Sequence, residues 1–110
     1  MSGSYSRRKG QRAEQDVARY LRSEKWDAQT SRAASGAQRG DDLVTDCPLS
    51  FEIKDHARVE LAAWVDQAVS NSSPGRPGVV VHKRRGKGNP ADWYATMRLG
   101  DLIWLMRKLR

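Results

Sequence analysis

Residues 50–55, Ser-Phe-Glu-Ile-Lys-Asp, alternate apolar and charged side chains with a period of two. Successive side chains of a strand point to opposite faces, so this run reads as a strand with Phe51 and Ile53 toward a core. Glu52 and Lys54 then share the other face. The segment before it, Gly-Asp-Asp-Leu-Val-Thr at 40–45, leads into Asp46-Cys47-Pro48, which has the composition of a turn. A three-residue loop there makes a hairpin in which Thr45 faces Leu49 and Leu43 joins Phe51 in the core. Asp42 then lies directly opposite Glu52, with Cβ atoms about 4.5–5.5 Å apart. A slip of one residue would bring Asp41 to that position instead. The three-residue loop is the simplest closure and favours Asp42.

The remaining periodicities set a frame around this hairpin. Between Arg12 and Lys25, Ala13, Val17, Tyr20 and Leu21 recur at helical spacing. Residues 1–6, small and polar, are expected to fray. Trp26 to Thr30 fits a short strand, and the Ser-, Ala- and Gly-rich stretch 31–40 a flexible loop. Leu61, Trp64, Val65, Ala68 and Val69 mark a second helix, which the breakers of Asn-Ser-Ser-Pro-Gly-Arg-Pro-Gly (71–78) end. Val79-Val80-Val81 suits a buried central strand. A basic turn at 83–90 leads to a strand over Trp93 to Met97. Asp101 is placed to cap a last helix with the stripe Leu102, Leu105, Met106 and Leu109. The order α, β, β, β, α, β, β, α implies one α/β domain over 1–110, a central mixed sheet flanked by helices. Trp93, Trp104 and Met106 are expected in the core in preference to a partner surface.

Charge carries the first functional signal. Twenty Lys and Arg oppose thirteen Asp and Glu, a net charge of +7 in 110 residues. The excess clusters at Arg7, Arg8, Lys9 and Arg12, at Lys83, Arg84, Arg85 and Lys87, and at Arg107, Lys108 and Arg110. Such clusters attract polyanions, because neutralising phosphates releases condensed counterions; the alternative is a merely solubilising surface. No apolar run is long enough for a bilayer, and no apolar segment follows the basic N-terminus as a secretory signal requires. The single cysteine, Cys47, suits a reducing compartment, and a cytoplasmic location is expected. His56 and His82 have no partners at zinc-ligand spacing, and Gly-Lys-Gly at 86–88 lacks the context of a phosphate-binding loop.

Two carboxylates set opposite each other repel, and a divalent cation resolves the repulsion. Mg²⁺ prefers hard oxygen donors and binds through one or two carboxylates plus water and phosphate. Lys54 beside the pair would put a positive charge next to a scissile phosphate or an attacking water, which are the parts of metal-assisted phosphodiester hydrolysis. The competing reading is a solvated strand face on which acid and base alternate. Glu14 lies at the border of the first helix's apolar face, one turn before Ala18, where an acid can reach the edge of the sheet.

Together Arg-Lys-Gly-Gln-Arg-Ala-Glu-Gln-Asp-Val-Ala-Arg-Tyr-Leu (8–21), the Ser-rich loop from Ser31, Asp-Asp-Leu-Val (41–44), Phe-Glu-Ile-Lys (51–54), Gln67 and Val-Val-Val-His-Lys (79–83) resemble the PD-(D/E)xK nuclease superfamily. The likeness is greatest to archaeal-type and phage Holliday junction resolvases. It implies a restriction-endonuclease-like αβββαβ core and a Mg²⁺-dependent endonuclease, with Mn²⁺ substituting, that acts in DNA recombination and repair. By this resemblance Asp42, Glu52 and the backbone carbonyl of Ile53 hold the metal, Glu14 completes the site directly or through water, and Lys54 orients the water or stabilises the developing charge. Ser31 or Ser35 would touch the scissile strand, and Gln67 would lie near the site. Arg7, Arg8, Lys9, Arg32, Ser35, Arg39, Gln67, Lys83, Arg84 and Arg85 are the expected DNA contacts. The resemblance further implies a homodimer cutting two strands of a four-way junction, with no membrane partner. Flaps, nicks or linear ends are the alternative substrates, and a non-catalytic basic nucleic-acid-binding module is the alternative class. The compact chain suits a virus or a bacterium. Gly40-Asp41 stands where the superfamily's proline precedes the acid, which weakens the signature.

Overall fold

The computed structural model of the chain describes residues 3–35 and 40–110, without the side chains of Gly3 and Ser35. Arg39 lies outside the described residues, as does the Ser35 side chain. Helix α1 runs over Gly3–Ser23, so Ser4 to Ser6 are helical and not frayed. Between the apolar stripe and Gly3 the chain offers Arg, Lys and Gln, good helix formers, and its one weak position, Gly10, is tolerated. The helix ends before Lys25, where Trp26 N–H donates to the Leu21 carbonyl (3.0 Å) and Lys25 N–H to that of Arg22 (3.1 Å). This is a Schellman closure, with Lys25 at φ 74° in the left-handed position that glycine usually fills.

Strand β1 (Ala28–Thr30) pairs antiparallel with β2 (Leu43–Thr45). Between them Ser31–Ser35 form a short helix, α2, where a loop was expected. Strand β3 (Ser50–Lys54) runs parallel to β4 (Gly78–His82), joined to it through α3 (Leu61–Ser70). After a 3₁₀ turn at Pro90–Asp92, β5 (Tyr94–Thr96) pairs antiparallel with β4. The chain is therefore α/β with a mixed sheet β3-β4-β5 and a separate two-stranded ladder β1-β2.

The expected β2–β3 hairpin is replaced by something else. β2 takes β1 as its ladder partner, and the turn after it is held by Arg76, whose guanidinium donates to the carbonyls of Thr45 and Cys47. Thr45 Oγ1 itself donates to the Asp27 carbonyl and accepts from Cys47 N–H. These bonds occupy the groups that a hairpin ladder would need.

Alternation in β3 works as the sequence implies. Phe51 and Ile53 pack with Leu43, Val79, Val81 and the α1 residues Ala13, Val17, Ala18 and Leu21. On the other face Val80, fully buried, meets Trp64 and Ala68 of α3. Burying such a side chain contributes about 1.5–3 kcal/mol. Gly78 permits the close approach of α3, since a Cβ there would overlap the Ala68 carbonyl and sit 2.9 Å from the Val69 nitrogen.

Helix α4 (Leu99–Lys108) departs from expectation twice. Its N-cap is Arg98, and Asp101 sits in the first turn, receiving Arg98 Nε (2.9 Å) and Nη2 (3.2 Å). The paired guanidinium occupies the carboxylate that would otherwise cap. Trp93 does fill the core, but Trp104 and Met106 stay exposed on a helix that buries none of its residues.

Candidate active site

Three segments converge on one cavity of about 220 Å³. Glu14 of α1, Asp42 before β2, and Glu52, Ile53 and Lys54 of β3 line it, joined by Lys9, Asp55 and His56. Glu52 is only 5% exposed. Asp42 reaches this place by an unusual bond pattern. Its backbone N–H donates to the Phe51 carbonyl (2.8 Å), and its carboxylate Oδ2 accepts from Ile53 N–H (2.7 Å). The two bonds go to the residues on either side of Glu52. The Asp42 carbonyl is taken by Ser31 N–H (2.9 Å), and a side-chain oxygen serves as the acceptor for Ile53. Asp42 thus stands beside Glu52, as the sequence suggested, held by one backbone bond and one side-chain bond and not by a hairpin ladder.

Asp41 faces elsewhere. Its carboxylate accepts from Ser50 Oγ (2.6 Å) and its carbonyl from Ser31 Oγ (2.8 Å), and it does not line the cavity. Ser31 is therefore a buried bracing residue of this loop.

Burial and mutual repulsion load the site electrostatically. Burial first and the Asp42 charge second push the carboxyl of Glu14 up to about 7, against a partial offset from Arg32. The same two causes push Glu52 to about 7, offset by a hydrogen bond from Asn71 and the charge of Lys54. Asp42 is raised by burial, and the Ile53 N–H and Lys54 moderate the rise. Lys54 Nζ donates to Gln67 Oε1 (2.7 Å) and stands 3.9 Å from Glu52 Oε2. Gln67, expected only near the site, fixes the lysine directly.

The basic residues divide. Lys9 lies at the cavity wall, 3.9 Å from Asp55. Arg7 and Arg8 are exposed on α1, and Arg32 is exposed on α2 yet acts on both Glu14 and Asp42. Lys83 lies over Trp93 and Arg84 over Tyr94, while Arg85 is open to solvent. These last three sit beyond β4, on the sheet side of the molecule.

Three residues of the site escaped the sequence reading. Asp55 and His56 directly follow Glu52-Ile53-Lys54, and that adjacency was a usable signal. Asn71, whose Nδ2 stands 3.4 Å from Glu52 Oε1, carries none, since only the β3–α3–β4 crossover brings it back.

The donor set is oxygen-rich and overcharged, which fits a hard divalent cation better than a soft one. Among the described residues no three His, Cys, Asp or Glu side chains form a ready-made metal cage. A cation here would complete its shell with water and substrate oxygens. No helix among the described residues is long and apolar enough to cross a membrane. Compared with known proteins, the chain matches no family model, no curated protein and no solved structure.

Proposed function

We propose that the chain is a divalent-metal-dependent endodeoxyribonuclease with a restriction-endonuclease-like core, acting on branched DNA as a Holliday junction resolvase does. The observation that carries this reading is the meeting of Glu14, Asp42, Glu52 and Lys54 at one cavity of a chain with net charge +7. A module that only grips phosphate gains nothing from a buried and two half-buried acids converging on one cavity, where the Asp42 charge raises the pKa of both glutamates. The order α1-β1-α2-β2-β3-α3-β4 fits an αβββαβ core with the five-residue α2 inserted between its first two strands.

Asp42, Glu52 and the Ile53 carbonyl would hold Mg²⁺ or Mn²⁺, with Glu14 bound directly or through water. The ion, when bound, supplies Lewis acidity and a more acidic water. The chain does the rest. Asp42 is fixed by Ile53 N–H, so its free oxygen keeps one direction. Lys54, held by Gln67, presents its ammonium where charge develops on the phosphate. Glu14, titrating near neutral pH, can take the proton that the attacking water loses. Lys9 at the cavity wall and Arg32, whose charge reaches Glu14 and Asp42, would bind the backbone beside the cut, with the exposed Arg7, Arg8, Lys83, Arg84 and Arg85 gripping it farther along.

The apolar face of α4 gives the dimer a surface. Leu102, Ile103 and Met106 are 40–53% exposed, while Trp104 lines a separate groove with Arg76 and Asp101. Arg107 and Lys108 lie in the helix's last turn, while Asp101 in the first turn is held by Arg98. A second copy laid antiparallel would oppose unlike dipole ends, a self-complementary contact. The single, buried Cys47 suits a reducing cytoplasm.

The test is cleavage of a four-way junction and a matched linear duplex, with Mg²⁺ and with EDTA, by the wild type, Asp42→Asn and Glu52→Gln. Metal-dependent cutting of the junction that both substitutions abolish, with binding retained, is expected. Cutting that neither substitution affects removes the site assignment. Equal cutting of the duplex removes the resolvase reading alone, and binding without cutting in either metal favours the non-catalytic module.

A further inference from the structure

Next to the acid cavity, strand register builds a second feature. Lys54 is the partner of His82 and His82 the partner of Tyr94, so the three lie in one row across β3, β4 and β5. Cross-strand partners share a face, and neighbouring strands are about 4.8 Å apart, which sets Tyr94 about 10 Å from Lys54. Rings follow one another along this face. His56 lies 5.6 Å from Trp64, Trp64 5.9 Å from His82, and His82 5.8 Å from Tyr94. The row starts at the cavity wall, where His56 stands, and ends in solvent at Tyr94.

Its inner and outer members differ in what they do. Trp64 is buried and packs α3 on the sheet, and His82 is braced by Thr96 Oγ1 at 2.9 Å. Tyr94 is 54% exposed. A tyrosine recruited for packing buries its ring. Here the neighbour is the Arg84 guanidinium, 4.6 Å from the ring centroid and anchored by the Asp92 carbonyl at 3.1 Å. Among the described residues no carboxylate forms an ion pair with Arg84, so its charge is available to a phosphate.

We propose that Tyr94 and Arg84 form a stacking subsite for an unpaired nucleobase, one or two nucleotides from the phosphate held at Lys54. This deepens the nuclease reading and rests on its nucleic-acid partner. An exposed ring beside a positive charge is how sequence-tolerant single-strand sites are built. The faces of a base within a closed duplex are covered by its neighbours, so only a base freed at a branch, flap or end can enter. The subsite would therefore contribute selectivity for interrupted DNA without reading sequence.

The test uses the full chain in EDTA, so that binding is measured without cutting. Fluorescein-labelled single-stranded oligonucleotide and a blunt, fully paired duplex are titrated by anisotropy against wild type, Tyr94→Ala and Tyr94→Phe. Tyr94→Ala is expected to weaken single-strand binding by roughly 5- to 150-fold, the range that loss of one stacked base gives. Duplex affinity should stay the same, and Tyr94→Phe should bind as the wild type does, since the ring and not the hydroxyl is used. The slope of affinity against salt should be unchanged in Tyr94→Ala, because no phosphate contact is lost. Equal weakening on both DNAs, no weakening on either, or a Tyr94→Phe as defective as Tyr94→Ala overturns the subsite. A chain that binds single strands through Tyr94 yet never cuts in Mg²⁺ would sink the nuclease and leave the subsite. Cutting that persists with Tyr94→Ala indifferent does the reverse.

Discussion

Replacing Glu52 by Gln should make the metal-free protein more stable at pH 8 while abolishing cleavage. Glu52 is 5% exposed and its pKa is raised from 4.5 to about 7 by burial and by Asp42. Below pH 4.5 it is protonated in both the folded and the unfolded chain and contributes nothing. Between pH 4.5 and 7 the unfolded chain releases a proton that the folded chain keeps, so stability falls as pH rises. The fall is complete above pH 7, and at ~1.4 kcal/mol per pH unit it amounts to about 3 kcal/mol. Gln has nearly the same shape and no charge, and the pull of Lys54 on the Glu52 carboxylate is already contained in the raised pKa, so nothing more is subtracted. The gain is then about 3 kcal/mol at pH 8, a rise in melting temperature of about 12 °C. Urea unfolding in EDTA, followed by the fluorescence of the buried Trp64 and Trp93, measures it at pH 4.5 and at pH 8. The gain should be absent at pH 4.5, full at pH 8, and reduced by Mg²⁺, which stabilises only the wild type by binding its folded state. A Glu52→Gln protein less stable than wild type at pH 8, or equally favoured at both pH values, would refute the reasoning.

Two further outcomes follow from single contacts. Asp42→Ala leaves the Ile53 N–H without its acceptor, a cost of about 1–3 kcal/mol, whereas Asp42→Asn keeps a carbonyl oxygen there; thermal unfolding should separate the two although both are expected to lose cleavage. Ile103→Asp, at a position 47% exposed on α4, should shift sedimentation from dimer to monomer with an unchanged circular dichroism spectrum, and a dimer that survives removes α4 as the interface.

Period was the legible part of this chain. The helical stripe of α1, the two-residue alternation of β3 and the apolar run of β4 each obey one local rule, and each formed where its rule put it. Glu52 and Lys54 share a face for that reason alone. Partner choice was not legible. Whether β2 pairs with β3 or with β1 depends on Arg76, thirty-one residues from Thr45, capturing the turn carbonyls. The length of α1 was underestimated because its first turns bury little and show no stripe. Helix α4 misled in the opposite way, since an amphipathic pattern states that a face must be covered but not by what.

The break between the two ladders explains why the acids meet where they do. A continuous sheet would satisfy the free edge of β3 with backbone groups and leave no gap for carboxylates. Instead β2 pairs away to β1, and one residue, Asp42, bridges to β3 with its N–H on Phe51 and its side chain on Ile53. Residues 51 and 53 direct their backbone groups to the same edge of the strand. The Ile53 carbonyl therefore opens toward the gap that Asp42 only half fills. Glu52 comes from the strand and Glu14 from the helix that covers it. The fold thus leaves one strand edge incomplete and surrounds it with oxygen atoms, so the charge accumulated there can be relieved by protons at low pH or by a cation at neutral pH.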